Sequence, residues 1–78
     1  MTSITLLLNS TDKVLTFAQS IGRYEESMDL EAGRSMIDAK SMLGIFSLNL
    51  KKPVILHIHA EGERADEIVG ELTEYVYS

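Results

Sequence analysis

Apolar residues recur along this chain with two periods, and the switches between them set out the expected elements. Ile4-Thr5-Leu6-Leu7-Leu8 is an apolar run of strand length that ends at polar Asn9-Ser10-Thr11. Those polar residues suit a helix start, with Asn9 or Ser10 at the N-cap and Asp12 near the positive end of the dipole. Val14, Leu15, Phe17, Ala18 and Ile21 follow at helical spacing, and Gly22 marks the end. Tyr24 through Leu30 alternates loosely and reads as a strand. Ala32-Gly33-Arg34 is a turn signal, and Ser35–Ala39 returns as the second strand of a hairpin. Ser41 caps a short helix running through about Phe46. Asn49–Pro53 reads as a loop, because Pro53 lacks the amide that a central strand needs. Val54–Ala60 is the clearest strand, and Glu61-Gly62-Glu63 turns it. Arg64–Tyr77 is expected as an amphipathic helix with Ile68, Leu72 and Tyr75, together with Val69 and Val76, on its apolar side.

The order β-α-β-β-α-β-α predicts an α+β fold, an antiparallel sheet with its helices on one face. A chain of 78 residues, 45% of them apolar, has material for one core, so residues 1–78 are read as a single domain. Leu6 and Leu8 are read as exposed, on the open face or edge of the sheet, which would offer a dimer contact there.

Composition narrows the function classes. Without cysteine there is no disulfide, thiolate metal site or nucleophilic thiol, which fits a reducing cytoplasm. Met1-Thr2-Ser3 has no basic n-region and Ile4–Leu8 is too short for a signal sequence or membrane span, so the expected location is cytoplasmic and off the membrane. The net charge is −5, and Arg23, Arg34, Lys40, Lys51, Lys52 and Arg64 are scattered among twelve acids, which argues against direct nucleic-acid binding.

His57 and His59 are two apart on a strand and share a face with Ile55, opposite Leu56, Ile58 and Ala60. As a pair they are weak candidates for metal ligation, since a site needs a third placed ligand, and they are read as exposed sheet histidines. Glu25, Glu26, Asp29 and Glu31 read as a solvated acidic edge, and Glu67, Glu71 and Glu74 as an exposed helical row. No paired carboxylates suggest acid–base chemistry, so neither an enzyme nor a cofactor is expected.

Lys40-Ser41-Met42-Leu43-Gly44-Ile45-Phe46-Ser47-Leu48 is different. It places more apolar side chains than one short helix can bury, and Met42, Leu43 and Phe46 are the candidate patch for docking protein partners. The Lys-Ser-hydrophobic-hydrophobic-Gly unit followed by Ser47-Leu48 resembles the regulatory-serine segment of the HPr family, phosphocarriers of the bacterial sugar phosphotransferase system. The resemblance runs without gaps from about Ala18-Gln19 to the C-terminus, through Tyr24, Leu30-Glu31 and Ala60-Glu61-Gly62. It implies an open-faced β-sandwich, a four-stranded antiparallel sheet with three helices on one face.

The first quarter departs from the family. The phosphocarrier histidine of HPr lies in a Gly-Leu/Ile-His-Ala-Arg-Pro loop before the first helix, whereas this chain has Asn9-Ser10-Thr11-Asp12-Lys13-Val14 there. Extending the match backwards puts that position near Ser10, and matching the first strand puts it near Val14. No histidine precedes His57. Carrying a phosphoryl group on histidine needs the imidazole as nucleophile, so that activity is not expected. The pattern is similar to a catabolite-repression branch of the family that also lacks the histidine and keeps the serine. The resemblance implies Ser41 as a regulatory phosphorylation site. An HPr kinase/phosphorylase and a transcriptional regulator or metabolic enzyme would then be partners. The leading expectation is a regulatory or adaptor protein. The alternatives are an HPr-fold binding or structural module without phosphorylation, and a phosphocarrier component of sugar uptake.

Overall fold

The computed structural model describes residues 1–77, so Ser78, the last residue of the expected domain, lies outside it. The elements are β1 (Thr2–Leu6), α1 (Thr11–Ile21), β2 (Met28–Ala32), β3 (Ser35–Asp38), α2 (Met42–Phe46), β4 (Val54–Ile58) and α3 (Gly62–Glu71), followed by a 3-10 turn over Thr73–Tyr75. The four strands form one antiparallel sheet in the order β1-β4-β2-β3. This is an α+β open-faced sandwich of the expected kind.

Alternation along each strand decides which face is covered. Leu6, Leu30, Val54, Leu56 and Ile58 point to one side and are buried there. Val14, Phe17 and Ile21 of α1, Ile45 of α2, and Ala65 and Ile68 of α3 close over them. Leu72 and Tyr75 complete the core, where the Tyr75 ring meets Phe17 edge-on at 5.9 Å between centroids. Among the described residues no helix is long and apolar enough to cross a membrane.

Leu6 and Leu8, expected to be exposed, are both fully buried. The pairing Leu6↔Val54 and Ile4↔Leu56 puts the even positions of β1 on the covered face, and Leu8 continues beneath the helices. Leu15 of α1, counted with the apolar stripe, is instead exposed. The β2 strand starts at Met28 rather than Tyr24, because residues 24–27 are held as a loop. Tyr24 N–H still bonds the Ile21 carbonyl at the end of α1, and Arg64 pins both Tyr24 and Glu26. The β2–β3 connection is the two-residue turn Gly33-Arg34, with Gly33 at φ +61°, a conformation that suits a glycine at the first central position.

The C-terminal helix is shorter than its apolar spacing suggested. It starts at Gly62, where φ is +63°, and stops at Glu71, and Val76 is exposed. The free edge of β1 competes with helical winding for the last residues. Leu7 N–H donates to the Tyr75 carbonyl at 2.8 Å, and Tyr77 N–H donates to the Thr5 carbonyl at 2.9 Å. Satisfying these buried-edge groups costs the helix its last turn and covers one edge of the sheet. The last strand likewise ends at Ile58, short of the expected Ala60.

Of the acidic residues between α1 and β3, Glu25 is exposed as expected, whereas Glu26, Asp29 and Glu31 are held by partners. Glu26 accepts two bonds from Arg64, at 2.7 and 3.0 Å, and Glu67 accepts a third at 2.9 Å. The guanidinium also lies 4.9 Å from the centre of the Tyr24 ring. The Arg64 hydrogen bonds hold the Glu26 carboxyl below its usual range. A carboxylate whose folded pKa is depressed adds stability that is present above its unfolded pKa and lost as pH falls through the folded value.

Two outcomes follow. Acid should weaken the fold as pH drops below about 4.5, the ordinary glutamate range, and Glu26→Gln should flatten that part of the stability–pH curve measured by urea denaturation. Leu8→Ala should cost about 2–5 kcal/mol in the same experiment, as for a core leucine, where an exposed leucine would cost almost nothing.

Candidate functional site

Three places carry chemistry, and the fold puts each on a different surface. The first is the start of α1, where sequence matching located the family's histidine. Ser10 is the N-cap, its Oγ accepting the Lys13 N–H at 3.1 Å. Leu8–Thr11 lie against Phe46 and Leu48–Lys51, across an open groove of about 360 Å³. Val14, the other matched position, is fully buried in the core. Neither position presents a nucleophilic nitrogen.

The second place is α2. Ser41 is extended at φ −92° and its Oγ accepts the Gly44 N–H at 3.2 Å, so the hydroxyl caps the helix. Ser47 Oγ closes the other end by donating to the Gly44 carbonyl at 2.6 Å. Gly44 has a steric reason: a Cβ there would lie 3.3 Å from Ile37 Cδ1 and from Ser41 Oγ. The helix therefore lies close on β3 and buries only Ile45. Leu43 is 87% exposed, and Met42 and Phe46 are 38% and 45% exposed. The three form an apolar face beside an exposed serine. Phe46 also borders the groove at the start of α1, which makes the first two places neighbours. Sequence reasoning had not foreseen that adjacency, because it depends on how α2 sits across the sheet.

The third place is the open sheet face, where β4 lies between β1 and β2. Both histidines are there, as expected from their spacing. Glu31 Oε1 accepts from His57 Nε2 at 2.7 Å, and Ser3 Oγ lies 2.7 Å from His57 Nδ1. An ionised carboxylate only accepts, so Nε2–H donates to Glu31, and in the neutral imidazole Nδ1 is left to accept from the serine hydroxyl. Asp29 Oδ2 likewise lies 2.8 Å from His59 Nε2. The order serine–histidine–carboxylate is that of a nucleophile relay, but it lies on a flat sheet. The amides of β4 belong to the ladders on its two sides, and those of β1 point along the sheet, towards β4 or out of the free edge, so none is aimed across the open face to stabilise an oxyanion. The arrangement ties three strands together. Among the described residues no three histidine or carboxylate side chains gather as a metal site. The signal for these ties was in the sequence, in the matching two-residue spacing of Asp29/Glu31 and His57/His59, but it required the pairing of β2 with β4 to be read.

Comparison with known proteins agrees with this architecture. The family model described as the PTS HPr component phosphorylation site matches residues 14–78, so the matched span starts inside α1, beyond the Ser10 cap. The phosphocarrier protein HPr of Pseudomonas aeruginosa is 35% identical over 63 residues, which is 77% of this chain and 68% of that protein. Among solved structures, HPr-C-His from Thermoanaerobacter tengcongensis superposes with a TM-score of 0.76 at 22% identity, covering 95% of this chain and 89% of the other. The phosphocarrier protein HPr from Bacillus anthracis gives 0.72 at 23% identity, covering 97% and 94%. The two structures share the fold, and the matches to the family model and to the Pseudomonas protein establish kinship in sequence: the chain belongs to the HPr family of the phosphotransferase system.

Proposed function

We propose that this HPr-family chain is a cytoplasmic regulatory or adaptor protein that binds other proteins through α2 and does not pass phosphate through histidine. It is not an enzyme under this reading and uses no cofactor. The observation that carries it is the pairing of an exposed capping serine, Ser41, with the exposed apolar face Met42, Leu43 and Phe46, in a chain with no histidine at the start of α1. His57 and His59 do not substitute, because they lie on the flat open face, each held by a carboxylate.

Phosphate on Ser41 replaces a neutral cap with a dianion-strength acceptor beside that apolar face. The change selects partners that supply cations next to an apolar pocket. By family kinship the partners are an HPr kinase/phosphorylase, and a transcriptional regulator or metabolic enzyme that reads the phosphorylated form. A second reading, a binding or structural module without phosphorylation, draws on the cap itself: Ser41 Oγ already has a structural partner in Gly44 N–H.

Phosphate addition separates these readings. Incubation with ATP and an HPr kinase/phosphorylase should add one phosphate by intact mass to the wild type and none to Ser41→Ala. No addition by a kinase active on HPr would leave the module reading. Ser41→Ala should also lower stability by roughly 1 kcal/mol through loss of the cap. Leu43→Ala should leave stability within about 0.5 kcal/mol, because the side chain is exposed. It should nevertheless lower the kinase's kcat/KM roughly tenfold, about 1.4 kcal/mol of docking energy.

A further inference from the structure

The two edges of the sheet are treated differently. At β1 the C-terminal residues pair with the main chain and cover it, through the bonds of Leu7 to Tyr75 and Tyr77 to Thr5. At the other edge, β3 pairs with β2 alone and no strand of the described residues lies on its outer side. β3 has two of the usual protections of an uncovered edge, shortness and one charge, but no lysine, proline or bulge. Its middle holds Met36, 57% exposed, with Arg34 of the turn and Asp38 two positions away on either side. Neither Arg34 nor Asp38 has an ion-pair partner among the described residues. Asp38 lies opposite Asp29 across the hairpin, so its nearest cross-strand neighbour has the same charge.

The hydrogen-bond alternation fixes which main-chain groups face outward. Ala39 N–H donates to the Met28 carbonyl at 2.9 Å, so Met28 and Ala39 are a bonded pair. In an antiparallel ladder bonded pairs alternate, which makes Leu30/Ile37 and Ala32/Ser35 bonded as well. The N–H and C=O groups of Met36 and the N–H of Asp38 therefore point away from β2. The Asp38 carbonyl, also outward, accepts the Ser41 N–H at 2.9 Å and keeps a second lone pair.

We propose that β3 pairs antiparallel with β3 of a second copy of this chain, about a two-fold axis at Met36. An antiparallel pair must set outward groups against outward groups, so the axis passes through a residue and not between two. An axis at Met36 exchanges two Met36 bonds and sets each Arg34 opposite the Asp38 of the other copy. An axis at Ile37 would set Arg34 opposite Lys40, like charge against like. Only the first register joins the unpaired cation to the unpaired anion, twice over by symmetry. The axis stands perpendicular to the sheet, so both helical layers, and both α2 helices, lie on the same side of the joined sheet. The contact is short and falls below the area of a standard stable interface, so the dimer is weak and reversible. The proposal does not depend on the role of Ser41.

Sedimentation velocity of the full chain at low ionic strength, from about 10 μM to about 1 mM, tests it. The wild-type coefficient should rise with concentration towards that of a dimer, and added salt should reduce the rise. Arg34→Asp sets acid against acid and should stay monomeric throughout, while Arg34→Asp with Asp38→Arg should regain the wild-type rise. Met36→Pro removes an outward amide that the hairpin does not use and should also stay monomeric, with folding of every variant checked by far-UV circular dichroism. A monomeric wild type at the highest concentration would overturn the proposal. So would a dimer indifferent to Arg34→Asp, or a folded double variant that does not recover.

Discussion

The insertion of β4 between β1 and β2 is the constraint on which the rest of this structure depends. β4 is the last strand in the chain, yet it lies in the interior of the sheet and pairs on both sides. Val54, Leu56 and Ile58 give the covered face its central row, and Ile55 and His57 fix the open one. Without β4, β1 has no ladder partner but the C-terminal residues, and the β2–β3 hairpin is left alone, a unit of marginal stability in water. The strand pairings that β4 makes are therefore distant in sequence, and closing those loops precedes their reward. The serine–histidine–glutamate tie has the same logic, linking three strands through one imidazole of β4.

That scaffold separates two surfaces. The centre of the open face is occupied by hydrogen bonds among Ser3, His57, Glu31, His59 and Asp29, which leaves those two histidines and two carboxylates engaged with one another. The helical side leaves apolar surface unspent at α2, where close packing of Gly44 on Ile37 presses a five-residue helix onto the edge of the sheet. A helix this short has one buried side and must show the other. Sequence and geometry thus put Ser41 at the border between a capped helix start and an apolar face.

The fold was legible in the sequence because its periods are clean. The even positions of β4, the α1 stripe apart from Leu15, and the Ser41 cap were read correctly from pattern. The misread C-terminal helix comes from competition between local preference and distant main-chain groups. The stripe through Tyr75 and Val76 has helical spacing, but the unpaired β1 edge draws Tyr75 and Tyr77 out of the helix. Leu6 and Leu8 were misassigned because three leucines in a row, Leu6-Leu7-Leu8, carry no alternation to say which face is covered, and only the register with β4 decides it. At the site, Ser41, Met42, Leu43 and Phe46 were visible as residues, whereas the closeness of Phe46 to Ser10 and the carboxylate partners of the histidines were not. Those are products of strand order, which no local pattern encodes.

The central claim is that phosphate, where this protein carries it, sits on a helix-capping hydroxyl and not on an imidazole. Phosphorus NMR of the chain after incubation with phosphoenolpyruvate and the general enzyme of the phosphotransferase system tests that claim most directly. The account predicts no phosphohistidine resonance under conditions that fully convert HPr of the same organism. An acid-labile phosphoimidazole signal, lost in His57→Asn or His59→Asn, would contradict it.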